Sequence, residues 1–522
     1  MTRAFTTQRF GANGVLRLTA MAASALFLAG CSLMPVEQRP ALDVPARFAE
    51  ADSTATAMLM STEEPGRWQP AEPADHQPPS PWWTVFGDPV LVRLEEEAIN
   101  ANPDVAIAMA RLKQARALTA RSEAARMPEI DAGFGTTRQR ISGAAAGGDD
   151  ETPGSMGTLW RAQATFAYEV DLFGRVSSSI AAARADAAQQ QALAHQMLLL
   201  VQADVARTYF SLRQLEGERR LLSETVKLRE VAAELLEHKL GVGAVARHVV
   251  EQARTELYLA RAEQASVDQQ YALTSHALAT LLGKPPAALA WDVTPLETVA
   301  VQLPPGLPST LLERRPDIAA AERAMAAENA RIGVARAAFF PSLSLTGALG
   351  YESADLGNLL LWSQRTFLLG PLAGTALNLP LFDGGRRRAD LDRVRAVYEQ
   401  RVAAYRKTVL QAFREVEDAL SSVRTLGARI GYQRSAESAS SQVARAAQSR
   451  FDEGDVDYLV VVDAERTLLR SRQSLIQSEG ERARVTVDLV RALGGGWNAP
   501  RAEQASMHDR VMPKPDPTHF RE

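Results

Sequence analysis

The sequence is short of the things that build a compact enzyme. One cysteine in 522 residues, Cys31, leaves no internal disulfide and no cysteine-cluster metal site. Aromatic residues are 6% of the chain, thin for a large globular core. Charge of neither sign dominates: 58 Lys+Arg against 62 Asp+Glu give −4, which excludes a polybasic nucleic-acid surface. His76, His195, His238, His248, His276, His508 and His519 form no paired-ligand spacing. There is no Gly-x-Ser-x-Gly and no Ser-x-x-Lys, and Gly283-Lys284 runs into Pro285-Pro286 instead of a phosphate loop. The chain therefore reads as a non-enzyme with no metal and no cofactor. Beyond the N-terminus there is no long apolar run. The nearest candidate, 366–382, is uncharged but holds Gly370, Pro371, Asn378 and Pro380, and it alternates instead of repeating helically.

The N-terminus carries an address. Arg3, Arg9 and Arg17 precede an apolar run from Leu18 to Leu28, the order of a secretory signal peptide over 1–30. Leu28-Ala29-Gly30-Cys31 resembles a bacterial lipobox, whose cysteine takes a diacylglycerol and an N-acyl chain such as palmitate. More than one chain suffices for stable anchoring. The only cysteine stands where acylation needs it, so Cys31 is the expected lipid attachment and the expected product is a bacterial lipoprotein. An ordinary signal peptide with a chance cysteine is the alternative.

After a Pro-rich leader the chain runs through one pattern twice. Asn102-Pro103-Asp104 recurs as Arg315-Pro316-Asp317 and Met127-Pro128 as Phe340-Pro341, both 213 residues on. Leu172-Phe173 recurs as Leu381-Phe382 after 209, and Lys239 through Gly243 as Arg450 through Gly454 after 211. Leu282-Gly283 recurs as Leu493-Gly494, again after 211. Each half predicts a helix (102–126, 315–339), two alternating segments, a long proline-free helix (177–240, 386–449), a glycine turn and a return helix. The boundaries read as signal peptide 1–30, leader 31–86, first repeat 87–284, connector 285–308, second repeat 309–497 and a polar, disordered tail 498–522. On the second long helix Val394, Tyr398, Val402, Tyr405, Val409, Phe413, Val416 and Leu420 trace an eleven-residue repeat, which favours a straight or weakly right-handed bundle.

The alternating segments have two faces. Trp160, Ala162, Ala164, Phe166, Tyr168 and Val170 share one side, against Arg161, Gln163, Thr165 and Glu169. Leu343, Leu345, Leu349 and Tyr351 oppose Ser344, Thr346 and Glu352, while Phe367, Leu369, Ala373, Leu377 and Leu379 share one face of the last segment. The segment 130–140 is weaker. Lengths of about ten residues, apolar outside and polar inside, match outer-membrane barrel strands, with the acidic loop 142–155 outside the cell. A soluble sheet packed under helices is the alternative. In a membrane open edges are not tolerated and four strands cannot close, so two, three or four chains must pool theirs.

Trp82-Trp83 through Phe86-Gly87-Asp88-Pro89-Val90-Leu91, then Leu312-Glu313-Arg314-Arg315-Pro316-Asp317-Ile318 and Ala338-Phe339-Phe340-Pro341-Ser342, closely resemble the TolC-like outer-membrane efflux channels. With the lipobox, the chain is similar to their OprM-like, NodT-type lipoprotein branch. The resemblance implies an α+β membrane protein acting as a homotrimer. Each chain would give four strands to a twelve-stranded outer-membrane barrel, continued by a long periplasmic α-helical barrel with a mixed equatorial domain. It implies a passive exit duct for drugs or other small molecules, lodged among outer-membrane lipids. Its partners would be a periplasmic adaptor and an inner-membrane transporter of the proton-driven RND type. A type I protein secretion channel and a structural coiled-coil lipoprotein are the alternatives; nucleic acid is not an expected partner.

The resemblance also singles out the turns farthest from the membrane, Gly241 to Gly243 and Phe451 to Gly454. The second is followed by Tyr458-Leu459 and Val462-Asp463-Ala464 as in the family. Relatives carry constricting acids and tyrosines there, which makes Asp455, Asp457 and Tyr458 the gate candidates. Arg247 aligns with Tyr458 across the repeats, as a cation that could tether the acidic turn. Solvation of an exposed hairpin is the plainer reading of the acids. Trp160, Phe166, Tyr168, Tyr351 and Phe367 are the barrel aromatics.

Overall fold

The computed structural model describes residues 33–36, 40–41, 44–45, 47–50, 81–141, 155–288, 294–296, 311–312, 314–369 and 376–495. The expected signal peptide, Cys31, most of the leader and connector, nearly all of the acidic loop and the C-terminal tail lie outside them. The chain folds as two compact units. One comprises Met1–Pro40, Leu112–Gln189 and Ala321–Tyr405, and the other Ala41–Arg111, Gln190–Ala320 and Arg406–Glu522.

Seven α-helices and five strands follow in order among the described residues: α1 Pro89–Ala101, α2 Pro103–Ala124, β1 Glu129–Ile141, β2 Ser155–Val170, α3 Arg175–Gly241, α4 Arg247–Leu281, α5 Pro316–Ala337, β3 Ser342–Ser353, β4 Arg365–Leu369, β5 Leu377–Asn378, α6 Arg386–Asp452 and α7 Tyr458–Ala492. The repeat is kept to the residue in helix length. α2 and α5 have 22 residues, α3 and α6 have 67, and α4 and α7 have 35. A 67-residue helix is about 100 Å long at 1.5 Å per residue. Among the described residues no helix is long and apolar enough to cross a membrane.

Helix α1 was not anticipated. Its start was legible, because Asp88 accepts from the Val90 and Leu91 amides and Pro89 occupies the first turn. Asp88 also receives the Tyr209 hydroxyl at 2.7 Å and the Arg213 guanidinium at 2.6 Å, tying α1 to α3. Around this hub Trp82, Trp83, Leu91, Leu94, Phe210, Leu278, Leu282 and Val487 form the main apolar cluster of the second unit. Trp82 donates its indole N–H to Gln202 at 3.2 Å.

The repeated tripeptides prove to be helix splices. Asn102 ends α1 in an extended conformation, and its side-chain oxygen accepts from the Asp104 and Val105 amides to cap α2. Its amide nitrogen donates to the Leu281 carbonyl at 2.8 Å, so the end of α4 abuts the start of α2. A Cβ on Gly283, which holds φ +67, would stand 2.3 Å from the Ala101 carbonyl oxygen. In the second repeat Arg315 donates to the Ala492 carbonyl at the end of α7, also at 2.8 Å, and pairs with Asp317 and Glu415. The two junctions use different side chains to the same end, satisfying the carbonyls that a helix terminus leaves open.

In the first unit the strands form one antiparallel sheet in the order β1-β2-β3-β4, with β5 also on β3. The last alternating segment, expected as one strand, is two. β4 pairs from Gly347↔Leu369 and β5 from Leu343↔Leu377, so the register shifts by four residues between them.

Glu95 is buried in α1, and neither carboxyl oxygen finds a hydrogen-bond partner among the described residues. Burial pushes its pKa well above the usual carboxylate range. Such a group stabilises the fold below its unfolded pKa of about 4.3 and loses that contribution as pH rises toward its folded value. Glu95→Gln should therefore raise thermal stability at pH 7 by about 1–3 kcal/mol, with no gain at pH 4. Equal effects at the two pH values would contradict a neutral buried acid.

Candidate channel wall and gate

The sheet assembles the sequence-predicted aromatics on one face. Pairing sets Phe166 opposite Ile130, Trp160 opposite Thr136, Tyr351 opposite Ala162 and Phe367 opposite Leu349. Tyr168 opposes Leu345 on that same side. Phe134 stacks on Trp160 with centroids 5.9 Å apart. A Cβ on Gly347 would come within 2.1 Å of the Phe166 ring, so the glycine makes room for the aromatic. The face is open in the single chain: Phe367 is 74% exposed and Phe134 65%. The opposite face carries Asp131, Arg161, Gln163, Thr165, Glu169, Thr346 and Glu352, with Arg161 and Glu352 paired at 3.1 Å. One sheet thus presents an exposed apolar side and a polar side, the arrangement of a transmembrane barrel wall.

The hairpin turns lie in the second unit and share one hydrogen-bond pattern. Gly243 donates to Leu240 and Ala244 to Lys239; Gly454 donates to Phe451 and Asp455 to Arg450. These are Schellman closures, with Gly243 at φ +75 and Gly454 at φ +81. Gly241 still belongs to α3. Ala233, Leu236, Val250 and Ala253 of the first hairpin pack against Ala444, Ala447, Val461 and Val462 of the second. Small side chains let the helices approach closely.

The gate candidates divide. Asp455 and Asp457 are exposed on the turn. Asp455 is paired with Arg450 at 2.7 Å, and Asp457 precedes α7 without capping it. Arg247 is exposed and reaches neither of them; the cation that meets the acidic turn is Arg450. Tyr458 is buried between the hairpins, its ring 5.4 Å from Phe451. Burial pushes its hydroxyl up to about 12, aided by the negative Glu465. Lys239 of the first hairpin lies 5.2 Å over the Phe451 ring, so Phe451 is a contact between hairpins.

Sequence reasoning missed the strongest polar tie. Glu256 of α4, its side chain 5% exposed, receives a two-pronged grip from Arg466 of α7. Arg229 of α3 donates to the Glu256 backbone carbonyl at 2.8 Å and stands 3.5 Å from its carboxylate. One carboxylate so joins three helices. The signal lay in the repeat itself. Glu256–Arg466 and Glu263–Gln473 are both separated by 210 residues, so near-equivalent positions of the two return helices face each other with complementary groups.

The Outer membrane efflux protein profile matches residues 94–284 and 307–495, one block for each repeat. The chain belongs to the outer membrane efflux protein family. It is 34% identical over 479 residues to the probable efflux pump outer membrane protein SepC of Pseudomonas putida, covering 91% of this chain and 96% of that one. It is 33% identical over 480 residues to outer membrane protein OprJ of Pseudomonas aeruginosa, covering 92% and 95%. Its fold matches the open-state MtrE outer membrane channel of Neisseria gonorrhoeae with a TM-score of 0.75 at 27% identity, covering 89% and 98%.

Removing one partner of a buried charge pair costs about 3–5 kcal/mol, whereas an exposed pair contributes under about 1 kcal/mol. Glu256→Ala should therefore depress the melting temperature strongly, and Asp455→Ala hardly at all. Equal effects would contradict the assignment of Glu256 as the tie between hairpins.

Proposed function

We propose that three copies close their sheets into one twelve-stranded barrel in the outer membrane, and their helices into a duct on the periplasmic side. The duct is the passive exit of a tripartite pump. A proton-driven transporter of the RND type in the inner membrane supplies energy, and a periplasmic adaptor grips the hairpin end. Drugs or other small molecules are its cargo. The observation that carries this reading is the sheet: an exposed, largely apolar face backed by a polar one, with no partner strand on either outer edge among the described residues. Backbone groups on those edges have no water to bind in hydrocarbon, so the sheet must close on other copies. No step calls for catalysis, a metal or a cofactor; the chain supplies a wall.

The leader supports a lipid anchor at Cys31. Leu33 to Val36 lie along α5 in the first unit. Asn329 donates to the Pro35 carbonyl at 2.8 Å and Arg336 to that of Leu33 at 3.4 Å. A Cβ on Gly333 would meet Met34 at 3.1 Å, so glycine permits the close approach. The described leader residues run antiparallel to α5, with Pro35 beside Asn329 and Leu33 beside Arg336. The domain reading carries over: signal peptide 1–30, leader 31–86, repeats 87–284 and 309–497, connector 285–308 and tail 498–522. Cys31→Ser should abolish fatty-acid labelling of the mature chain; undiminished labelling would refute the anchor.

At the hairpin turns Asp455 and Asp457 of three copies crowd near the axis, attract cations and narrow the pore. Tyr458 acts from inside the hairpin by holding the turn in place. In planar bilayers Asp455→Ala with Asp457→Ala should raise single-channel conductance and weaken cation preference. Unchanged conductance and selectivity would remove the acids from the gate.

A further inference from the structure

Every charge on the apolar face of the sheet, among the described strand residues, is an arginine, and every one sits at the same end. Arg138 opposes Thr158 and Arg140 opposes Met156, two and three alternations beyond Phe134 on its face. Arg365 opposes Tyr351, which opposes Ala162 on that face. No Asp, Glu or Lys occupies this face among the same residues. The other face carries four acids, Glu129, Asp131, Glu169 and Glu352, and one arginine, Arg161, among the same residues. The three arginines all lie at the loop end, away from the helices that precede β1 and follow β2.

Arg365 is also held in a particular pose. Its guanidinium lies 3.2 Å from the Trp362 ring centroid, and its Nε donates to the Trp362 carbonyl at 2.7 Å. Trp362 is 70% exposed, on a loop whose Leu360 and Leu361 are exposed as well. A cation flattened on an indole beside leucines presents a planar fork next to an apolar surface. That combination suits a molecule with phosphate at one end and acyl chains at the other.

We infer that Arg138, Arg140 and Arg365 form a binding site for the phosphates of an outer-leaflet glycolipid, whose acyl chains lie along the apolar face below. The inference rests on the reading that this face meets lipid. Arginine costs about 2–4 kcal/mol on a lipid-facing strand at the bilayer centre but only about 0–1 near the interface. Three arginines confined to one end are therefore tolerated, and a phosphate turns tolerance into attraction through charge-assisted paired hydrogen bonds. Arg138 and Arg140 stand on one edge strand and Arg365 on the other. Closure of the sheet on a second copy brings those edges together, so each seam between copies carries all three arginines. The site is incomplete in a single chain, and a bound glycolipid bridges two copies.

The test uses the full-length assembly in detergent, titrated with bisphosphorylated lipid A and followed by native mass spectrometry. The wild type should retain up to three lipids per trimer. Changing Arg138, Arg140 and Arg365 together to Gln should weaken retention by at least about tenfold. Arg365→Lys, which keeps charge but loses the fork, should weaken it partially, and Arg161→Gln on the opposite face should leave it unchanged. Retention unaffected by the triple substitution, or equally strong for dephosphorylated lipid A, would overturn the site. The same preparations are assayed for bilayer conductance. A conducting triple variant with undiminished lipid retention refutes the site alone, and a wild type that neither assembles nor conducts refutes the barrel and the site with it.

Discussion

The structure turns on backbone hydrogen bonds that one chain cannot complete. β2 and β3 are paired on both sides, but β1 and β4 each present an outer edge with no partner strand among the described residues. In water such an edge is a liability to be managed; in hydrocarbon each unsatisfied group costs several kcal/mol. The apolar face beside those edges keeps the sheet out of water, and the edges keep it from standing alone in lipid. On the proposed reading, closure with copies of itself resolves both demands, and the polar face then lines the interior of a duct.

The helices answer a different requirement with a duplicated solution. Each repeat makes one helix of 67 residues and two shorter ones of 22 and 35 residues, to which the first repeat adds α1. The splices at Asn102 and Arg315 join the end of a return helix to the start of a short one. One side chain gives donors to the open carbonyls of the incoming helix, beside the start of the outgoing one. Asparagine does this by an amide with a donor and an acceptor, arginine by a fork that also gathers Asp317 and Glu415. Similar demands at Gly283 and Gly494 explain why the Leu-Gly pair recurs: both hold positive φ with backbone pressed close.

Much of this was legible in the sequence because its signals are local and repeated. The proline-free spans located the long helices within three residues at each end, and alternation fixed which side of each strand is apolar. The Gly-containing turns announced the hairpins. The misses have physical causes. Helix α1 was hidden because the first helix of the repeat was read as 102–126, although Asp88-Pro89 is itself a cap signal. The break between β4 and β5 was announced by Gly370-Pro371, directly after the last residue of β4, but the alternation of the flanking residues was read across it. Tyr458 looked like a channel residue because it follows the acidic turn, yet the helix phase turns its ring inward against Phe451. Arg247 was placed by alignment of the repeats, while Arg450, five residues from Asp455, could reach it directly. The Glu256 tie needed three helices to be assembled before it existed, and no single stretch of chain contains it.

The claim on which the rest depends is that the free edge of β4 meets the free edge of β1 on another copy. Single cysteines scanned along β1 and β4, in pairs on a Cys31→Ser background, test it by oxidative cross-linking in the membrane. The account predicts a covalent ladder that stops at three chains for one register of pairs. Absence of cross-links at every register, or a ladder that runs past three, would contradict it.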